Sequence, residues 1–520
     1  MRSTDGKWLR GLARTSRSAF LGLLLMLPAP PLTADPNTYP NVSEPYVPGG
    51  APSHRRNVLL LIMDDVGIDQ VRRYVAYYNG TTSTGDDLDV APPETTTVTR
   101  LAQAGVTFVN AWSSPSCSPT RAGVFTGNFA FNDNGVYMVG DALNPASTTT
   151  IAEVLAEAGY QNGLFGKWHL GEAHPPAEHG WDRFYGFLDA LVGDYWDWEK
   201  VETGFHADLG WFDWTDSTTL SVDKYITWEN VEDAVDWINT RTGPWMATVA
   251  FHAAHKVTDD SGGVGYKGQN PPAGCGRPVM IEPSSSPTAL GTATNQAIFR
   301  ATIECMDDEI EHLLNWIDDA KLEHTTIILI GDNGTDGDYT GFGPFQQSGG
   351  TNRAKDSVYE GGVNVPFIVA DGYALVHEGQ TGTGTGRVPS PGRFETALVQ
   401  TLDIFATAAA IAGANAGSGV DSVSLVPLLE QTATAVRSAS FMQRTECGDR
   451  AVRGSQYKLV VKEDGARELY NLARDRWEQT DLLADGTSFM EYLTVSSLCL
   501  AMSTLTAGIY GCTAAPAVCP

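Results

Sequence analysis

The sequence predicts an α/β fold, with a large, mainly parallel central sheet flanked by helices and a small antiparallel sheet subdomain at the C-terminus. Three observations lead there. Continuous apolar runs of strand length recur along the chain, helical patterns fall between them, and past about Arg437 the pattern turns to short strands.

The run Asn57-Val-Leu-Leu-Leu-Ile-Met63 is apolar without alternation, which suits a strand buried on both faces of a parallel sheet. Residues 105–111, 161–165, 245–251 and 325–330 repeat the type. Between them, 148–160 sets Ile151, Val154 and Leu155 on one helical face. Residues 303–317 do the same with Met306, Ile310, Leu313, Leu314 and Ile317, and 401–412 reads as a further apolar helix. The closing strands are expected at 451–453, 457–461 and 468–472. Residues 194–214, dense in aromatic and acidic side chains, read as an insertion, and 372–393 as a Gly/Thr/Pro-rich connection.

Residues 1–34 read as a signal peptide. Arg2, Lys7, Arg10, Arg14 and Arg17 precede an apolar stretch at 19–27, and Ala34 is the last residue before the expected cut. Nine apolar residues fall well short of the ~20 that cross a bilayer, so no stable membrane anchor is expected. An extended lead-in (35–56), a large main domain (57–436) and the C-terminal subdomain (437–520) are expected to complete the chain, and the expected location is secreted, periplasmic or otherwise extracytoplasmic. The 520 residues carry 34 basic and 62 acidic side chains, a net charge of −28, which excludes a nucleic-acid binder. Seven cysteines leave one unpaired in an oxidising compartment. Cys512 and Cys519 are close enough for a small terminal loop, and Cys117 has the most unusual neighbourhood.

Ligands of open parallel sheets bind beyond the carboxyl ends of the strands. The first strand ends in Asp64-Asp65, two carboxylates with no cation nearby in sequence, and 325–330 ends in Gly331-Asp332-Asn333-Gly334. These are hard oxygen ligands suited to Ca²⁺ or Mg²⁺, and no EF-hand pattern is present. Lys167 and His169 come after 161–165, and His252 and His255 after 245–251. Pro119 suits a first helical turn, which places Cys117 just before a helix N-terminus, where negative charge is stabilised.

Cys117-Ser-Pro-Thr-Arg121 resembles the C-x-P-x-R signature of the type I, formylglycine-dependent sulfatases, arylsulfatase-like members of the alkaline phosphatase superfamily. Asp64-Asp65-x-Gly67, Gly166-Lys-Trp-His-Leu-Gly171, the His255 segment, Gly331-Asp-Asn-Gly334 and Lys355 before Tyr359-Glu-Gly-Gly362 match in order. Glu468-Leu-Tyr-Asn-Leu472, with Glu478 and Leu482, resembles the family's C-terminal signature.

The resemblance implies an alkaline-phosphatase-like fold and a sulfuric ester hydrolase releasing sulfate and an alcohol or phenol. It implies Cys117 converted to Cα-formylglycine (3-oxoalanine) by a formylglycine-generating enzyme. It also implies one Ca²⁺ held by Asp64, Asp65, Asp332, Asn333 and residue 117. Arg121 would hold the formylglycine; Lys167, His255 and Lys355 would face the sulfate oxygens; His169 would deprotonate the second hydroxyl of the hydrate. The leaving alcohol would take its proton from His255 or Lys355. The substrate would be a sulfated small molecule or carbohydrate. Asn128 stands where the family usually carries Arg. The alternatives are a phosphate or phosphonate ester hydrolase of the same superfamily, and a non-catalytic protein that binds sulfated glycans.

Overall fold

The computed structural model describes residues 56–81, 92–206, 211–258, 264–265, 270–276, 292–337, 339, 353–378, 388–510 and 512. The signal peptide and all but the last residue of the lead-in lie outside them.

Ten strands form one sheet. At its centre Thr325–Gly331, Asn57–Met63, Trp245–Ala250, Gln161–Lys167 and Arg183–Phe187 lie side by side and parallel. Val58 to Met63 and Ile327 to Ile330 are buried on both faces, as continuous apolar runs require. Next to Thr325–Gly331 runs Phe367–Asp371, antiparallel, then Gly105–Phe108 and Arg393–Glu395. The expected strand at 105–111 therefore stops at Phe108, and Ala111–Trp112 forms a separate short strand. At the other edge the segment read as an insertion is part of the sheet: Trp198–His206 and Trp211–Val222 form an antiparallel hairpin against Arg183–Phe187. The run of aromatic residues that suggested an insertion is also rich in strand formers.

The expected helices are present with shifted ends. Ile151–Glu157 opens on a capping box, with Thr150 and Glu153 each accepting the other's backbone N–H. Thr292–Trp316 starts well before residue 303 and buries Ile303, Met306, Ile310, Leu313 and Leu314. Asp403–Ala412 agrees with the expectation.

The closing sheet has four antiparallel strands, Ser440–Gln443, Arg450–Arg453, Tyr457–Val461 and Arg467–Asn471. Helix Phe489–Leu505 packs Val495, Leu498 and Met502 against it. Disulfides join Cys275 to Cys305 and Cys499 to Cys512, and Cys447 is also disulfide-bonded. The expected Cys512–Cys519 loop is thus wrong, because Cys512 closes onto the helix instead. Among the described residues Cys117 is the free cysteine.

The closing sheet grips the turn just beyond Lys355 through buried charges. Lys458, fully buried, lies 3.2 Å from Glu360 and 2.7 Å from Glu478. Arg453 adds a contact to Glu360 at 3.3 Å, and the Glu360 N–H donates to Glu478 Oε2 at 2.6 Å. Removing one member of such a cluster leaves unpaired buried charge. Lys458→Met is therefore expected to lower unfolding free energy by about 3–5 kcal/mol, read from urea denaturation; a loss near zero contradicts the role given to the cluster.

Candidate active site

Four parallel neighbours deliver the site. Their carboxyl ends lie side by side, so Asp332, Asp64-Asp65, His252 to His255 and Lys167 converge although they are far apart in sequence. Helix Cys117–Thr126 adds Cys117 and Arg121, four residues apart and so on one face. Cys117 is the first residue of that helix rather than just before it, with Ser116 as N-cap. Lys355 comes from the loop ahead of the turn Glu360–Val363. Gly334 lets that turn approach, since a Cβ there would sit 1.8 Å from the Gly361 carbonyl.

The two aspartates are not without cations, as the local sequence suggested. Lys167 Nζ lies 2.6 Å from Asp64 Oδ2, and Lys355 donates to Asp65 Oδ1. Asn333 Nδ2 donates to the same Asp65 oxygen at 2.8 Å. Arg121 grips Asp332 Oδ2 through Nε (3.2 Å) and Nη2 (2.9 Å), and donates to the Lys167 carbonyl at 2.8 Å. Three carboxylates thus face three fixed cations. Cys117 Sγ lies 3.2 Å from His169 Nδ1. His255 Nδ1 donates to the Lys256 carbonyl at 2.8 Å, leaving Nε2 to face Asp65 Oδ2 at 3.9 Å. Asp65 and His169 both adopt left-handed backbone conformations, with φ of 59° and 57°.

Burial favours the neutral acid at Asp64 and Asp65. Lys167 in the first case and Lys355 in the second, with His255 facing both, nevertheless hold the two below the usual carboxylate range. Asp332 goes the other way: burial and the Asp64 charge push it up to about 7 against the pull of Arg121. Burial also raises the Cys117 thiol and lowers His169, His252 (to about 4) and His255 (to about 3). Burial therefore favours the neutral form of all three histidines before a substrate anion arrives.

The oxygens present fit a hard cation. Asp64 Oδ1 and Asn333 Oδ1 are buried and have no hydrogen-bond partner, which is costly unless a ligand takes them. Ligand atoms of Asp64, Asp65 and His255 lie within 4.8 Å of one another. All the residues singled out in the sequence are brought together. His252, quoted in its motif but given no role, belongs with them: its Nδ1 lies 3.4 Å from Asp64 Oδ2. The His-x-x-His spacing was the available signal. Asn128, in place of the usual Arg, accepts the Asp421 N–H at 3.1 Å and ties down the helix end.

With this geometry in hand, comparison with known proteins identifies the class. A sulfatase family profile matches residues 56–414, and the chain belongs to the sulfatase family. It is 26% identical over 394 residues to arylsulfatase G of Rattus norvegicus, covering 71% of this chain and 67% of that one. To N-acetylgalactosamine-6-sulfatase of Homo sapiens it is 26% identical over 410 residues, covering 72% and 66%. To a sulfatase of Formosa agariphila it is 25% identical over 527 residues, covering 84% and 86%. The alignments thus span about two thirds of the mammalian relatives' length. A solved structure described as a complex with its substrate D-glucosamine-2-N,6-O-disulfate shares the fold, with a TM-score of 0.62 and 17% identity, covering 88% of this chain and 99% of that one. Another, in complex with a neocarrahexaose, has a TM-score of 0.61 and 18% identity, covering 89% and 96%.

Trp168, between Lys167 and His169, is fully buried against Phe125, Trp181 and His179. His179 is buried with neither ring nitrogen paired, and burial lowers it from 6.5 to about 4. Between those values the unfolded chain binds a proton that the folded one does not, so stability falls as pH drops from 6.5 towards 4. This one group contributes at most ~1.4 kcal/mol per pH unit. His179→Phe should remove that part of the slope in urea denaturation series, and an unchanged slope contradicts it.

Proposed function

We propose that this sulfatase is a calcium-dependent sulfuric ester hydrolase that works through formylglycine at position 117 and acts on sulfated carbohydrate. One observation carries the reading: the free Cys117 starts a helix with its Sγ 3.2 Å from His169, inside a ring of three carboxylates and three fixed cations. The relative named N-acetylgalactosamine-6-sulfatase and the solved complex with a disulfated glucosamine support the substrate class. Maturation by a formylglycine-generating enzyme belongs to the same reading. Residues 57–436 are taken as the catalytic domain and 437–520 as the C-terminal subdomain. The disulfides favour an extracytoplasmic location.

Asp64, Asp65, Asp332 and Asn333 would hold the Ca²⁺, with residue 117 completing the set. Bound there, the ion adds two positive charges to an otherwise balanced cluster and so attracts a sulfate ester to a chain of charge −28. A hydrated formylglycine supplies two hydroxyls, one to bond to sulfur as the alcohol leaves and one whose deprotonation expels sulfate. Lys167, His255 and Lys355 face the sulfate oxygens and are fixed before substrate arrives. Lys355 keeps its proton firmly: burial works against the charge, but Asp65 outweighs it. The leaving alkoxide takes a proton from Lys355, or from His255 once its Nε2 is protonated beside the bound anion. His169 Nδ1 is placed to take the proton from the second hydroxyl. Arg121, bound to Asp332 and the Lys167 carbonyl, fixes the helix that carries residue 117.

Sulfate release from an aryl sulfate and from sulfated monosaccharides tests this. Turnover is expected in the wild type, lost in Cys117→Ala, lost with EGTA and restored by Ca²⁺. Hydrolysis of phosphate monoesters in preference to sulfate esters, unaffected by EGTA, contradicts it.

A further inference from the structure

The segment read as an insertion begins with the aromatic run Tyr195-Trp-Asp-Trp198. Tyr195 and Trp198 are buried, and Trp196 is partly buried with its indole N–H on the Asn270 carbonyl at 3.1 Å. This part of the run packs inward. Packing alone leaves one feature unexplained, the placement of the Tyr195 hydroxyl. It lies 2.8 Å from the His252 carbonyl and 2.8 Å from the His255 carbonyl.

We propose that Tyr195 is a positioning residue whose hydroxyl fastens the loop from His252 to His255 and thereby sets the aim of His255 and Asp64. The proposal deepens the function proposed above and rests on it. A single O–H shared between two carbonyls three residues apart draws both to one point. The His255 N–H also donates to the His252 carbonyl at 2.8 Å, so the loop is closed from inside and clasped from outside.

The clasp reaches the site by two routes. The first is backbone: the Ala254 N–H donates to the Asp64 carbonyl at 2.7 Å, and the Asp64 N–H to the Ala253 carbonyl at 3.0 Å. The second runs through rings. Tyr195 packs on His252, with centroids 5.1 Å apart, and His252 stacks on His255 at 5.2 Å and 23°. The Val192 N–H points at His252 Nε2 (3.4 Å), which leaves the ring proton on Nδ1, facing Asp64 Oδ2. With Lys167 on that same Oδ2, Asp64 is turned so that Oδ1 is the oxygen without a partner. Tyr195 is itself held, since the Ile226 N–H donates to its carbonyl at 2.8 Å. It touches neither Cys117 nor Lys355, so its effect on the reaction passes through the loop. Groups that orient ligands and acid–base residues in this way are typically worth about 10–100-fold in activity or metal affinity.

The test is Tyr195→Phe in the full-length protein, which keeps the ring and removes only the hydroxyl. With 4-nitrophenyl sulfate as probe, kcat is expected to fall about 10-fold or more while KM stays within about 2-fold. In a His255→Ala background the same change is expected to cost clearly less, since only the route to Asp64 then remains. Trp198→Phe is the control: it removes a part-buried hydrogen bond, to the Lys224 carbonyl, from the same segment, and is expected to leave kcat unchanged. A kcat for Tyr195→Phe within 2-fold of wild type, or an equal loss in the His255→Ala background, overturns the proposal. A crystal structure of Tyr195→Phe reads the clasp without turnover. A shifted 252–255 loop with a re-aimed His255 ring is expected, and an unmoved loop overturns the clasp even if the wild type hydrolyses no sulfate ester. The absence of any wild-type turnover would count against the functional reading alone.

Discussion

Three carboxylates buried at the carboxyl ends of neighbouring parallel strands are the constraint around which the rest is arranged. Asp64, Asp65 and Asp332 have essentially no access to water. Buried charge of one sign is tolerated only when opposite charge is fixed beside it. Lys167, Lys355 and Arg121 supply that charge from three different parts of the chain. Once they are committed to the aspartates, the cluster is close to neutral, and any further positive charge must come from a cation. Asp64 Oδ1 and Asn333 Oδ1, buried without partners, are the oxygens such a cation would take.

The same constraint explains why remote elements are built as they are. Lys355 lies on a loop, so its aim depends on how the turn Glu360–Val363 is anchored. The closing sheet holds that turn through Lys458, Arg453 and Glu478. Arg353 also donates to the Glu478 carbonyl and stacks over the Tyr359 ring at 4.7 Å. Trp168 and its aromatic neighbours pin the Lys167–His169 segment on the opposite side. Neither support touches the reacting atoms, yet both fix the geometry on which preorganised electrostatic stabilisation relies.

Much of this was legible in the sequence, for identifiable reasons. Strands buried on both faces read as unbroken apolar runs, and Asn57–Met63 and Tyr457–Val461 were placed to the residue. The site blocks were legible because most sit at strand ends, Cys117–Arg121 opens a helix, and all keep the family order. The cations of Asp64 and Asp65 were not seen as partners because they come from 103 and 290 residues away. The hairpin Trp198–Val222 was misread because its aromatic and acidic composition resembles an exposed insertion. Helix Phe489–Leu505 was missed because its apolar residues lie on all sides: Phe489, Met490 and Leu500 are exposed while Val495, Leu498 and Met502 are buried, so no clear amphipathic period marks it. Tyr195 could not be linked to the His252–His255 loop because the contact spans about 60 residues and uses only main-chain oxygens of that loop.

The whole account turns on the chemical state of residue 117. Mass spectrometry of the peptide that contains it, from protein produced in its native host, addresses this directly. The account predicts an aldehyde, seen as loss of sulfur and gain of oxygen at residue 117. A free thiol or a disulfide at that position in active protein would contradict it.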